Sequence, residues 1–425
     1  MRKTVPVLTV VILVLCLLGV VIYNLPPVYD RLAWRIDALQ ARIHYSLNPP
    51  GQVVFVPGQT PLPTNTPTLF QPSPTPTIVL ATDQPTSTFT PVPTETLTPT
   101  PLPAQARLTG IRHEYQTWNN CGPANLAMAL SFWGWRGAQK DTAPFLKPNQ
   151  LDKNVMPYEM EAFVDSQTDL EAVVRVGGEI PLLKAFIASG IPVLVEKGFE
   201  GVGFDGWMGH YQVVSGFDDA RGIFIVQDSY KGPNLEINYQ DFEDQWRAFN
   251  YTYLVIYPPD RREMVLQILG LQAYDNFNNR YAEQKARTET TTLTGRAQYF
   301  AWYNLGTNLV ALHDYLGAAT AYDAAFAHYQ NLPEAERPWR MLWYQTGPYF
   351  AYYYTARYQD LIDLATTTLD VTKEPVLEES YYWRARASLA LDDRQGAIED
   401  LRKCLEAHPD FSPAVEQLTL LGEQP

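Results

Sequence analysis

Between Pro57 and Pro103 more than half of the residues are Pro or Thr, and Asp83 and Glu95 are the only charged ones. Such a segment lacks the apolar side chains that offset the entropy of ordering, so it reads as an extended, solvated linker. It divides the 425-residue chain into a short N-terminal piece and a long C-terminal one that has to supply the globular structure. At about 3.1 Å per residue in polyproline II the linker reaches up to about 140 Å, which suits a stalk.

The N-terminal piece reads as a membrane anchor. Arg2 and Lys3 precede about twenty mostly apolar residues from Val5 to Leu25 that carry no charge, enough for one helical span. The basic flank keeps the N-terminus cytoplasmic and sends the bulk of the chain outside. A cleaved signal peptide is the competing reading, disfavoured by the length of the apolar run and the lack of a small-x-small site. Lipidation at Cys16 is disfavoured by Leu15 in front of it. Residues 1–25 are therefore assigned to the tip and anchor and 51–104 to the stalk. Between them, 26–50 hold an amphipathic helix in which Leu32, Ile36, Leu39 and Ile43 recur at helical spacing.

Composition narrows the partners. The formal net charge of −14 argues against nucleic acid and anionic lipid surfaces. The three cysteines, Cys16, Cys121 and Cys404, fall in three separate segments, so no disulfide framework is expected. Six scattered histidines show no metal-ligand spacing, and neither a metal nor a cofactor is expected.

The residues with the clearest chemistry lie in 105–258. Cys121 is followed by Gly122 and Pro123 and then by the apolar run Leu126, Met128, Ala129, Leu130, Phe132 and Trp133, with Gly134 as a stop. Proline is accepted in the first turn of a helix, so a buried helix starts at or beside Cys121. A thiol there faces unpaired amide N–H groups and the positive end of the helix dipole, which favour the thiolate. An isolated cysteine usually does no more than pack as a small buried residue; a base within reach changes that reading. Of the two histidines in this region, His113 and His210, the second opens a strand-like run to Phe217. Asp218 to Gly222 reads as a turn, and Ile223 to Asp228 as the returning strand. An antiparallel hairpin then brings Asp228 beside His210, where a carboxylate can orient an imidazole that takes a proton from Cys121. Asn119 and Asn120 are candidate oxyanion donors or plain turn residues, and Gly209 leaves room for a peptide backbone next to the base.

Three blocks, Gln116 to Cys121-Gly122-Pro123, Gly209-His210-Tyr211-Gln212-Val213-Val214 and Val226-Gln227-Asp228-Ser229, resemble the bacteriocin-processing type of papain-like cysteine peptidase. The resemblance implies a papain-like α/β fold, with the cysteine-bearing helix packed on an antiparallel sheet that carries the histidine and the aspartate. It also implies that Gln116 donates its side-chain amide to the oxyanion together with the Cys121 N–H, although the Gln116 to Cys121 spacing is one residue shorter than in papain-like enzymes. The family's exporters fuse this domain to a polytopic membrane segment and an ATPase. This chain has no phosphate-binding Gly-Lys-Ser/Thr loop and a single candidate span, so leader processing coupled to export does not carry over.

Residues 262–425 resemble tetratricopeptide repeats, paired helices that stack into an all-α array. Trp302, Leu305, Gly306, Leu309, Ala318, Tyr322 and Ala325 form one copy. Trp343, Gly347, Phe350 and Leu361 mark a degenerate second one, and Tyr381, Ala385, Ala397, Leu401, Cys404 and Pro409 a third, with Met264 to Asn279 as a capping helix. The repeats read either as a groove for a protein partner or as a helical clamp on the peptidase. The whole reads as an outward-facing cysteine peptidase acting on a peptide or protein through Cys121, His210, Asp228 and Gln116. The same residues also suit an acyltransferase or amidase, and a catalytically inactive binding module is the alternative of a different class.

Overall fold

The computed structural model describes residues 101–200 and 206–425, residues 53–58, and separate residues within 11–18 and 39–47. Most of the expected anchor, most of the 26–50 helix, the interval 59–100 and the glycines at 201 and 203 lie outside the described residues. No helix among the described residues is long and apolar enough to cross a membrane.

The first half is an antiparallel sheet with helices on both faces. Its strands are β1 (Gln105–Arg107), β2 (Glu171–Arg175), β3 (Val193–Glu200), β4 (Trp207–Asp218), β5 (Ile223–Asp228), β6 (Gly232–Asn238) and β7 (Tyr253–Tyr257). They run in the order β2-β7-β3-β4-β5-β6, with β1 pairing the end of β4. Period-two alternation sorts the two faces. Leu194, Tyr211, Val213, Leu254 and Ile256 meet Leu126, Met128 and Leu130 of α1 (Cys121–Phe132) and Met160, Phe163 and Val164 of α3 (Pro157–Gln167). Val193, Val195, Val214, Phe217 and Val255 meet Phe186 of α4 (Ile180–Ala188) and Phe242 and Trp246 of α5 (Tyr239–Arg247). Helix α2 (Gln139–Leu146) packs beside α1.

Helix α1 begins at Cys121 because Asn119 reverses the chain at φ 54°, a left-handed conformation that Asn tolerates, and Pro123 occupies the first turn. Its residues Gly122 to Leu130 are all buried, so it is a central helix with no solvent face. Gly122 allows close packing here: a Cβ at this position would sit 3.0 Å from both Met160 Cε and Val155 Cβ, so those side chains would have to give way. The β4–β5 hairpin turns at 219–222 as expected, with a bulge between Val214 and Gly216.

The second half is all-helical. It comprises α6 (Arg262–Leu269), α7 (Asp275–Thr292), α8 (Gly295–Ala311), α9 (Tyr315–Asn331), α10 (Met341–Tyr344), α11 (Gly347–Tyr354), α12 (Tyr358–Asp370), α13 (Glu378–Ala390), α14 (Arg394–Ala407) and α15 (Ser412–Leu420). The capping helix expected over 264–279 is two helices, because Gly270, at φ 55°, ends α6. The pairs α8/α9, α11/α12 and α13/α14 stack in sequence. Small residues let them approach closely: a Cβ on Gly306 would sit 2.7 Å from the Tyr322 ring.

The two halves share one core. Trp207, at the start of β4, stacks 5.8 Å from Phe249 and packs on Phe300 and Tyr344, all in the hydrophobic cluster that runs through the helical region. Polar bonds fix the seam: Arg340 Nη1 donates to Trp207 O at 2.8 Å, Gln345 Nε2 to Ala248 O at 2.7 Å, and Asn304 Nδ2 to Arg247 O at 2.7 Å. Val53–Gly58, expected in a linker that contributes no core, also packs here, with Phe55 buried.

Candidate active site

Cys121 stands half-buried at the first position of α1, where the unpaired N–H groups and the dipole of the helix converge. His210, near the start of β4, and Asp228, at the end of β5, are both buried and bonded to each other, His210 Nε2 to Asp228 Oδ1 at 3.1 Å. Asp228 Oδ1 also accepts from the Tyr230 and Lys231 N–H groups at 2.8 and 2.7 Å, and Oδ2 accepts from Gln212 Nε2. With both oxygens engaged the carboxylate cannot rotate, and its bond to Nε2 leaves Nδ1 as the ring nitrogen available to Cys121, which lines the same cleft.

The electrostatics follow from that packing. Burial works against charge on all three groups and is the largest single influence on each. Asp228 is nevertheless held well below the usual carboxylate range by the imidazole and the N–H donors. His210 is raised to about 9, because Asp228 and Cys121 outweigh its burial. The Cys121 thiol is lowered by the His210 hydrogen bond and charge, by Lys147 and by the Tyr211 N–H. The arrangement favours a thiolate–imidazolium pair, whose titration belongs to the pair rather than to either residue.

Gln116 lines the same cleft as Cys121 and His210. Its N–H donates to Ser229 O at 2.9 Å, and its Oε1 accepts from Ser229 Oγ at 2.7 Å. Ser229 Oγ in turn accepts from Asn125 Nδ2 at 2.7 Å, while the same amide reaches Cys121 O at 2.9 Å. Because a hydroxyl has one proton to donate, this chain sets the Gln116 amide with its oxygen engaged and makes Nε2 the group that can donate to an oxyanion. Cys121, His210 and Gln116 thus line one cleft, with Asp228 bonded to His210. Asn119 and Asn120 serve elsewhere: Asn119 Nδ2 donates to Asp152 O, and Asn120 Nδ2 to Gln139 Oε1 at 2.7 Å. His113 braces the aspartate by donating from Nε2 to Asp228 O at 3.1 Å.

Several participants carry no sequence signal. Lys147, buried at the end of α2, donates from Nζ to Asn119 O at 2.6 Å and places a positive charge near the thiol. Gln139 ties down the loop before Cys121, accepting from the Thr117 N–H at 2.9 Å and donating to Tyr115 O at 2.8 Å. The cleft over Cys121, about 470 Å³, is walled on one side by Trp118 and on the other by Arg340, Trp343 and Tyr344 of the helical region. The space that Gly209 leaves beside the base is filled by Phe249 and Tyr344 rather than being open to a ligand: a Cβ there would sit 2.7 and 3.0 Å from their rings. Glu196 lines the same cleft, and burial raises its carboxyl well above the usual range, which favours the neutral acid.

A protein family described as Peptidase_C39 like matches residues 102–254, the interval that contains all of these peptidase-side groups. Residues 102–254 are a peptidase C39-like domain. Among solved structures, a Bacillus anthracis protein described as a candidate C39-like peptidase is similar to 36% of this chain over 96% of its own length, at 16% identity and a TM-score of 0.30. None of the curated proteins matches the chain.

Among the described residues, Glu159, Glu378 and His408 bring three ligand atoms within 4.8 Å of one another, at the seam between α3 and the helical region. His408 Nδ1 and Glu378 Oε1 are 3.3 Å apart there, a contact that an ion pair explains without an added cation.

Proposed function

We propose that the C39-like domain is a cysteine peptidase held outside the cytoplasm by the apolar segment 5–25, with residues 262–425 as a tetratricopeptide-like array that walls its substrate cleft. The reading is carried by one observation: His210, bonded through Nε2 to Asp228, lines the same cleft as Cys121, which opens a helix. In this reading His210 Nδ1 takes the proton from Sγ, and the thiolate attacks the scissile carbonyl carbon. Negative charge gathers on the carbonyl oxygen, where the Cys121 N–H and Gln116 Nε2 donate to it. The imidazolium then protonates the departing amine, leaving a thioester on Cys121. Water, deprotonated by the same imidazole, attacks the thioester, releases the acid and restores the thiol.

A peptide or protein substrate fits a cleft whose far wall is the helical region. Arg340, Trp343 and Tyr344 contact whatever lies over Cys121, so cleavage preference is set partly outside the C39-like domain. The experiment is digestion of a random peptide library by the full chain, read by mass spectrometry, wild type against Cys121→Ala. Cleavage products present in the wild type and absent from the variant support the reading. Identical product lists, or none from either protein, sink it.

A further inference from the structure

Val53–Gly58, neither helix nor strand, lies on the helical region, far in sequence from anything it touches. The Phe55 ring packs edge-on against Phe326 of α9, with centroids 5.0 Å apart, and 6.2 Å from the Tyr352 ring. Three residues on, the Gly58 N–H donates to Asp360 Oδ1 at 2.7 Å, and Arg357 Nη2 reaches Gly58 O at 3.4 Å. Arg357 is itself fixed by Asp323 and Asp360, both at 2.7 Å. Phe55 joins the core cluster of the helical region, while the segment around it is held by its main chain: one aromatic socket, then a charged clamp on N–H and C=O. The groove also continues past the segment, since Val56, Pro57 and Gly58 leave a cavity of about 390 Å³ against Leu316, Thr320 and Asp323.

The segment is linked to the catalytic cleft by contact. Upstream of it, Tyr45 packs 5.0 Å from Trp339, accepts from the Lys373 N–H at 3.1 Å, and lines the same cleft as Cys121. The short helix α10 joins the two places: Met341 and Leu342 line the Phe55 socket, and Trp343 and Tyr344 line the cleft. We propose that the groove between α9 and α12 is a binding site for a peptide segment with an aromatic anchor, that its resident ligand is Val53–Gly58 of the same chain, and that this docking holds Tyr45 on the cleft rim and restricts access to Cys121. The restriction rests on Cys121 being the nucleophile; the groove does not.

The test uses the full chain in detergent micelles and a fluorescent peptide of residues 52–59, with binding read by anisotropy. Phe55→Asp empties the socket from the linker side and leaves every helix intact. The peptide binds Phe55→Asp saturably and binds wild type at least tenfold more weakly, because the tethered copy competes at an effective concentration on the order of millimolar. Equal binding to both proteins, or no binding to Phe55→Asp, overturns the groove. Iodoacetamide then labels Cys121 at least threefold faster in Phe55→Asp and in Tyr45→Ala than in wild type, and Tyr45→Ala leaves peptide binding as weak as in wild type. Equal labelling rates in the three proteins overturn the restriction of the cleft. Slow labelling at the rate of an ordinary thiol in all three removes the nucleophile as well, while the anisotropy result for the groove stands.

Discussion

Cys121 and Cys404 are the same residue in two regions of one molecule, and their surroundings drive them in opposite directions. Cys404 is fully buried within α14, in an apolar cluster with Ala385, Leu401 and Leu418. Burial pushes its thiol far up, and the carboxylates of Glu378, Glu379 and Asp400 push it further. Cys121 is disfavoured by burial too, yet His210, Lys147 and the Tyr211 N–H bring it below the ordinary value. A thiol in mid-helix faces a completed hydrogen-bond ladder; a thiol at the first position faces open N–H groups. Position on a helix and the sign of the neighbouring charges separate a packing thiol from one that favours the thiolate.

The comparison breaks most visibly at the cysteines themselves. Cys121→Ala lowers peptide cleavage by about 10⁴-fold or more, whereas Cys404→Ala leaves kcat/KM within about twofold, as expected of a surface-remote packing substitution. Alkylation sharpens it: His210→Ala lowers cleavage by about 10³-fold and moves the labelling midpoint of Cys121 up toward the ~8.5 of a free thiol, while Cys404 labels in neither protein until denaturant is added. Gln116→Ala lowers kcat by about 10²-fold, the usual loss on removing one oxyanion donor, with Tm unchanged. Lys147→Met removes one positive neighbour, raises the labelling midpoint of Cys121 and slows labelling by a few-fold at neutral pH, on the order expected for one partly screened charge.

The smallest effect is on stability against pH, and its sign follows from the shifts. His210 is raised from 6.5 to about 9, so its bonds to Asp228 and Cys121 stabilise the fold fully below 6.5 and progressively less as pH rises through about 9. Asp228 is depressed, so its contribution is complete above its ordinary 3.8 and is lost as pH falls through its lowered value. Thermal melts should show the Tm advantage of wild type over His210→Ala shrinking between pH 7 and 10, and that over Asp228→Asn shrinking below pH 4. A His210→Ala difference that stays constant to pH 10 would contradict the imidazolium pairing.

Much of the site was legible from local pattern. Gly122 and Pro123 place the helix start at Cys121, and a short turn after Phe217 is enough to bring Asp228 back to His210. These inferences rely on spacing within one helix or one hairpin, where covalent geometry restricts the alternatives. The Ser229–Gln116 relay, Lys147 and the Asn125 amide were not legible, because each reaches the site across a separation that no local rule constrains. Asn119, read as an oxyanion donor or a turn residue, is the second: its backbone makes the turn that presents Cys121, and its side chain goes to Asp152. Gly209 is the converse case, a residue whose missing side chain admits Tyr344 from the other half of the chain.

By itself the sequence determined the elements and their chemistry: a buried helix opening on Cys121, a hairpin pairing His210 with Asp228, stacked helices built on small and aromatic residues, and a Pro/Thr-rich interval between charged flanks. Those follow from short-range sterics, hydrogen-bond supply and apolar periodicity, which are properties of neighbouring residues. Tertiary structure alone decided which nitrogen of His210 faces the thiol, that Trp343 and Tyr344 wall the cleft, and that Phe55 leaves the linker for a socket in the helical region. Each of those depends on where two distant surfaces meet, and burial of apolar area selects that meeting from the whole chain at once.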